Sequence, residues 1–280
     1  MSEAVAVREP EDVITPRRGW FDLGLKELWR TRELAYFFMW RDVKVRYKQT
    51  VIGAGWAVIS PIVLMVVFTL VFGKLRGSGA TTVPTPVWYF SALLPWSYFS
   101  GSLQAASSSI VSAQQVVQKI YFPRLILPLE SVFPGIVDFI MSFLVLAVLM
   151  TVYHVPFTSR LAIIPVVLIF TGLTAFAAGL WLSATNALYR DIREATPFLI
   201  QILLFTSPIL LAPRKIPPSF RPYYALNPIA GVIEMSRWAV TGVGKFPTGF
   251  VLPGIASLVV MIFTGLIYFR RIEDLIIDVV

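Results

Sequence analysis

The chain has 280 residues, of which 56% are hydrophobic and only 14% charged, with a mean hydropathy of +0.73. A soluble domain carries about 25% charged residues, so this chain cannot cover a water-exposed surface with charge unless much of that surface faces lipid. The absence of cysteine excludes disulfides and thiolate chemistry, the single His154 excludes the usual multi-histidine zinc sites, and the net charge of +8 suits either nucleic acid or a membrane edge.

Residues 1–19 are polar, include Pro10 and Pro16, and read as a flexible tail. The first 40 residues mix acids and bases with no apolar h-region, so no signal peptide is expected. The block "WRDVKVRYKQTVIGAGWAVISPI" follows at 40–62, with Arg41, Lys44, Arg46 and Lys48 in its first half and Arg32 upstream. Charge then stops, and residues 49–73 contain no Lys, Arg, Asp or Glu. In helical projection Tyr36, Trp40, Val43 and Tyr47 share one stripe, with Arg41, Lys44 and Lys48 beside it. An aromatic face beside a basic face predicts a helix lying in the membrane interface among lipid headgroups. Nucleic-acid binding needs bases and aromatics on one accessible surface. It also leaves the following uncharged run unexplained, so no nucleic-acid partner is expected.

A helix needs about 20 mostly apolar residues to cross a bilayer. Uncharged runs predict spans at 54–73, 87–110, 161–189, 195–212 and 246–269. A sixth at 126–152 carries Glu130 and Asp138 ahead of an apolar second half. With the N-terminus inside, cytoplasmic segments hold 16 of the 24 Lys and Arg, which favours both termini inside. The expected fold class is therefore an all-α integral membrane protein. Residues 1–50 would form a cytoplasmic tail and interfacial helix, and 51–280 a six-helix transmembrane domain.

Between these runs, 74–86 read as a short outside loop, and Pro123 blocks a helix from running straight into the third span. Residues 213–245 contain Pro213, Pro217, Pro218, Pro222 and Pro228 and apolar pieces too short to cross, such as 229–240. Such pieces fit a re-entrant or interfacial segment.

No catalytic constellation is visible, and neither a P-loop nor a G-x-S-x-G elbow is present. His154 sits in a short external loop and reads as an interfacial residue. Asp138 is the deepest acid: it is either a proton or ion site or a helix–helix hydrogen bond or ion pair. Glu130 lies near enough the cytoplasmic edge to snorkel or cap, and Glu234 can reach Arg237 at i+3. Trp88 and Tyr89 suit an aromatic belt. Trp56, Trp96 and Tyr98 lie deeper, where they either pack or offer platforms for sugar faces or lipid chains.

Five blocks carry a resemblance: "RDVKVRYKQTVIGAGWAVISPI", "ALLPWSYFSGSLQAASSSIV", "QKIYFPRLILPL", "LWLSATNALYRDIREATPFLIQILLFTSPIL" and "ALNPIAGVIEMSRWAVTG". In this order the chain resembles the permease subunit of bacterial polysaccharide ABC exporters, the family that moves O-antigen, teichoic acid and capsule precursors. The resemblance implies six transmembrane helices per subunit, a homodimer and two copies of a separate cytoplasmic ATPase. That ATPase would carry ATP and magnesium, leaving this chain without a cofactor or metal, as a non-enzymatic subunit. It implies a multi-pass location in the bacterial cytoplasmic (inner) membrane, with a lipid-linked glycan such as O-antigen on undecaprenyl pyrophosphate as cargo.

By the same resemblance the gate-like helix before the first span maps to about 20–48. This makes Trp40, Arg41, Lys44, Arg46, Tyr47 and Lys48 gate candidates, with either headgroup attraction or plain anchoring as the role of the bases. The coupling helix maps to about 112–122, so the ATPase would engage Gln118, Lys119, Ile120, Tyr121, Phe122 and Arg124, with Arg190, Asp191 and Arg193 in the next cytoplasmic segment. Short external helices between spans five and six map to 213–245. Trp56, Trp96, Tyr98, Asp138 and Glu234 are the channel candidates. Competing readings are a drug or small-molecule exporter permease and a proton-coupled secondary transporter built on Asp138.

Overall fold

The computed structural model describes residues 29–48, 55–76, 83–119, 122–189, 191–210 and 217–279, with the side chains of Tyr47, Lys48, Ala57, Leu75, Arg76 and 274–279 outside the description. All regular structure among the described residues is helical. In chain order the helices are α1 (Arg32–Lys48), α2 (Gly55–Phe72), α3 (Thr85–Ser112), α4 (Gln114–Val117), α5 (Ile126–Glu130), α6 (Pro134–Val152), α7 (Ile164–Leu188), α8 (Asp191–Thr206), α9 (Arg221–Ala225), α10 (Pro228–Thr241) and α11 (Thr248–Val279). Short 3-10 turns follow α2 at Gly73–Arg76 and precede α7 at Ser159–Ile163.

Among the described residues, three stretches are long and apolar enough to cross a membrane: Ile126–Val152, Ser159–Leu188 and Thr248–Glu273. The third of the expected spans is broken where residues 131–133 separate α5 from α6. The fifth is shorter than expected, because α8 ends at Thr206. Apolar side chains point outward along α2, α6 and α11, among them Leu70, Leu144, Val148, Leu252, Val260 and Phe263. A soluble protein does not expose such continuous faces.

The central element is α3, which packs against α7, α6, α10 and α2. Enclosure explains its composition: Tyr89, Phe90, Leu93 and Leu94 are fully buried, and Ser91, Ser102, Ser107 and Ser109 are buried with them. Several of its polar groups bond locally or across helices. Ser109 donates to Ala106 O at 2.8 Å, Asn186 of α7 donates to Ser107 O at 2.7 Å, and Ser236 of α10 donates to Ser91 O at 2.7 Å. Such interhelical hydrogen bonds stabilise helix pairs where lipid offers no hydrophobic gain.

Tyr98 fills the junction of α3, α6 and α7. Helices approach it closely because Gly135 and Gly172 lack side chains: a Cβ at Gly172 would sit 2.6 Å from the Tyr98 hydroxyl, and one at Gly135 2.5 Å from Cε2 of the same ring. The ring also meets Phe139 edge-on at 5.9 Å.

The proline-rich segment forms two helices, α9 and α10. Asn227 caps α10 by accepting from Ile229 N at 3.2 Å, Pro228 occupies the first turn, and Gly242 closes it in the left-handed region at φ 65°. His154, at φ 55°, turns the chain after α6, a conformation His tolerates better than most residues.

Candidate functional site: the α1 gate and the coupling end

The residues of α1 divide between an inward and an outward face. Ala35 and Phe38 are buried against Phe122, Leu125 and Ile126, with the Phe38 and Phe122 rings 5.6 Å apart. Tyr36 and Trp40, from the expected aromatic stripe, are exposed, and Lys44 lies 5.3 Å from the Trp40 ring. Ala35 and Phe38 thus hold α1 against the protein, while Tyr36, Phe37 and Trp40 turn outward.

Two of the bases do not face outward alone. Arg46 Nη2 lies 2.6 Å from Asp138 Oδ2. Arg41 sits 4.8 Å over the Phe38 ring, donates to Asp42 at 2.9 and 3.0 Å, and lies 3.9 Å from Glu130 Oε1. The acids of the third apolar stretch are thus tied to the helix before the first. Glu130 is only 3% exposed, so it does not snorkel to the edge as its sequence position suggested. Its second oxygen, Oε2, is buried without a hydrogen-bond partner.

Between α1, α3 and the α5–α6 junction lies a cavity of about 450 Å³, lined on one side by Arg41, Asp42 and Arg46 and on the other by Ser108, Ser109 and Ser112, with Glu130 and Ser131 at the junction.

The segment expected to engage an ATPase lies at the same end. Helix α4 is a single turn, with Gln118 and Lys119 exposed just beyond it, whereas Phe122 and Arg124 are buried. Arg124 is clamped to the last helix: its amide donates to Glu273 Oε1 at 3.3 Å and its Nη1 to Glu273 O at 2.5 Å. Arg270 Nη1 reaches the other oxygen, Oε2, at 2.7 Å. Asp191 and Arg193 are exposed in the first turn of α8. Ile120, Tyr121 and Arg190 lie outside the described residues, as do the side chains of Tyr47 and Lys48.

The channel candidates do not converge. Trp96 and Tyr98 are buried in the core, Trp56 is exposed on α2, and none of them lines the cavity. Glu234 pairs with Arg237 within α10 at 2.5 Å. Arg237 also donates to Ile209 O at 3.0 Å and stacks 3.8 Å over the Trp88 ring, so that Trp88 belongs to an internal cluster. The clusters Arg237–Trp88 and Arg124–Glu273 join residues distant in sequence, and their only sequence signal is a charge inside an apolar stretch.

Outward apolar helices, buried ion pairs and crossing-length stretches define a multi-pass helical membrane protein. Residues 33–241 match the family model described as ABC-2 type transporter. The chain belongs to the ABC-2 type transporter family. It is 28% identical over 195 residues to an O-antigen export system permease protein of Klebsiella pneumoniae, covering 69% of this chain and 74% of that protein. It is 27% identical over 186 residues to one of Myxococcus xanthus, covering 66% and 71%. It is also 24% identical over 243 residues to a polysialic acid transport protein of Escherichia coli, covering 84% and 91%.

Proposed function

We propose that this chain is the transmembrane subunit of an ATP-driven exporter that moves a lipid-linked polysaccharide across the bacterial cytoplasmic membrane. The observation that carries the reading is the family match over 33–241, together with relatives named for O-antigen and polysialic acid export. The higher identity to the O-antigen permeases favours O-antigen as cargo. The longer match to the polysialic acid protein supports capsule polysaccharide as the second reading.

In this reading the chain crosses six times with both termini inside. Helices α2, α3 and α8 supply the three crossings beyond the long apolar stretches. Enclosure of α3 by its neighbours explains how a serine-rich helix is tolerated at membrane depth. Two such subunits flank the path, and two copies of a separate ATPase bind ATP and magnesium below them.

Closure of the ATPase pushes on 112–124 and on the start of α8. The clamp between Arg124 and Glu273 passes that push to α11, and the burial of Phe38 against Phe122 passes it to α1. Tilting of α1 then opens the entrance at the inner leaflet. Lys44, exposed on α1, holds the helix near anionic headgroups. The Arg46 partner of Asp138 weighs against a proton-carrying role for that acid.

Co-purification with a partner ABC ATPase, followed by mass spectrometry of retained lipid, tests the reading. A stable complex carrying lipid-linked glycan is expected. A complex that retains only small amphiphiles contradicts polysaccharide as cargo.

A further inference from the structure

The cavity beside α1 joins two guanidinium groups, a serine wall and an orphaned carboxyl oxygen, a combination that its anchoring role does not use. Charge decides first what it can hold. Arg41 is hydrogen-bonded to Asp42 and Arg46 is paired with Asp138, so the positive charge is already matched whatever the state of Glu130. A phosphate entering here gains no net Coulomb attraction and approaches two or three carboxyl groups.

Hydrogen-bonding capacity decides second. Ser108 donates to Gln104 O and Ala105 O, Ser109 to Ala106 O, and Ser131 to Leu127 O. Each hydroxyl has committed its one proton to its own helix, which leaves the oxygen lone pairs as acceptors. Glu130 Oε2 adds a buried oxygen with no partner. A ligand of many O–H donors fits these walls, whereas a phosphate, which offers chiefly acceptors, does not.

We propose that the cavity between α1, α3 and the α5–α6 junction binds a hydroxyl-rich glycosyl group, the sugar next to the lipid phosphate of the cargo, and not the phosphate itself. The guanidinium N–H groups that remain donate to sugar oxygens, and the serine oxygens and Glu130 accept from sugar hydroxyls. The cavity volume of about 450 Å³ accommodates one or two sugar rings. Glu130 is thereby the residue that distinguishes a glycosylated lipid from a bare one at the entrance. This inference rests on the polysaccharide-export reading and specifies where that cargo is first read.

The test uses the full-length protein with its ATPase in lipid nanodiscs and two probes: a short polyprenyl pyrophosphate, and the same lipid bearing one hexose on the pyrophosphate. The hexosyl probe is expected to bind the wild type at least about tenfold more tightly, the scale of a hydrogen bond to a charged or buried polar group. Glu130→Leu removes most of that preference and leaves the bare lipid within about twofold of wild type. This variant is expected to fold, because an apolar group replaces an underpaired buried carboxyl. Ser108→Leu, which fills the cavity from the α3 side, gives the same result independently.

Equal binding of the two probes by the wild type would overturn the site, as would variants that weaken both probes alike. Binding of neither probe would also overturn it. The export reading fails separately, on absence of lipid-linked glycan transport by the intact complex.

Discussion

Arg46 and Asp138 meet at 2.6 Å, joining α1 to α6, 92 positions apart in number. The pair has one half-exposed partner, so its contribution to folding is modest. Its consequence is positional: it sets where α1 rests.

Either Arg46→Ala or Asp138→Ala is expected to lower export several-fold while leaving membrane insertion intact. The exchanged pair, Arg46→Asp with Asp138→Arg, recovers a large part of it. A double-mutant cycle on export rates reads the coupling, expected at about 1 kcal/mol. Additive single effects would contradict the pairing.

Tyr98 makes two different demands on its neighbours. Gly172→Ala places a methyl group 2.6 Å from the Tyr98 hydroxyl, and Gly135→Ala places one against Cδ2 and Cε2 of the ring and 2.5 Å from Ser102 Oγ. Overpacking of this kind costs about 1–3 kcal/mol. Tyr98→Phe removes the hydroxyl and is expected to rescue Gly172→Ala but not Gly135→Ala, as read by thermal unfolding in detergent.

Glu273 holds Arg270 through one oxygen and the Arg124 amide through the other, while its carbonyl accepts the Arg124 guanidinium. Glu273→Ala removes the carboxylate of a buried cluster, a change that costs about 3–5 kcal/mol when the partner charges stay buried. It is expected to leave ATP hydrolysis by the bound ATPase running while export falls more than tenfold. Glu273→Gln, which keeps an acceptor for the amide, falls between the two.

The α10 pair gives the opposite pattern in stability. Arg237→Met alone strands Glu234 among apolar neighbours and is expected to destabilise by about 3–5 kcal/mol. Adding Glu234→Leu removes the stranded acid and recovers most of the loss, measured as the shift in Tm between single and double variants.

Helix existence was legible because lipid imposes it: uncharged runs announced α2, α3 and α7 close to their observed bounds. The break at 131–133 was not legible, since the apolar residues 126–129 of α5 read as one stretch with α6 despite Glu130. Helical projection found the aromatic stripe through Tyr36 and Trp40, and both are exposed. Projection cannot show what the far side of a helix meets, so the pairing of Arg41 and Arg46 with acids near and within the third stretch was invisible to it. The pair Glu234–Arg237 was legible because i, i+3 is a local rule. Arg124–Glu273 was not, because its partners are brought together only by the packing of the last helix.

The central claim is that this chain moves lipid-linked polysaccharide by ATP-driven export. Its most direct test is translocation of a lipid-linked glycan in vesicles reconstituted with this chain and its neighbouring ATPase. The account predicts transport that requires both chains and hydrolysable ATP and continues when an ionophore collapses the proton gradient. Transport by this chain alone, abolished by the ionophore, would contradict it.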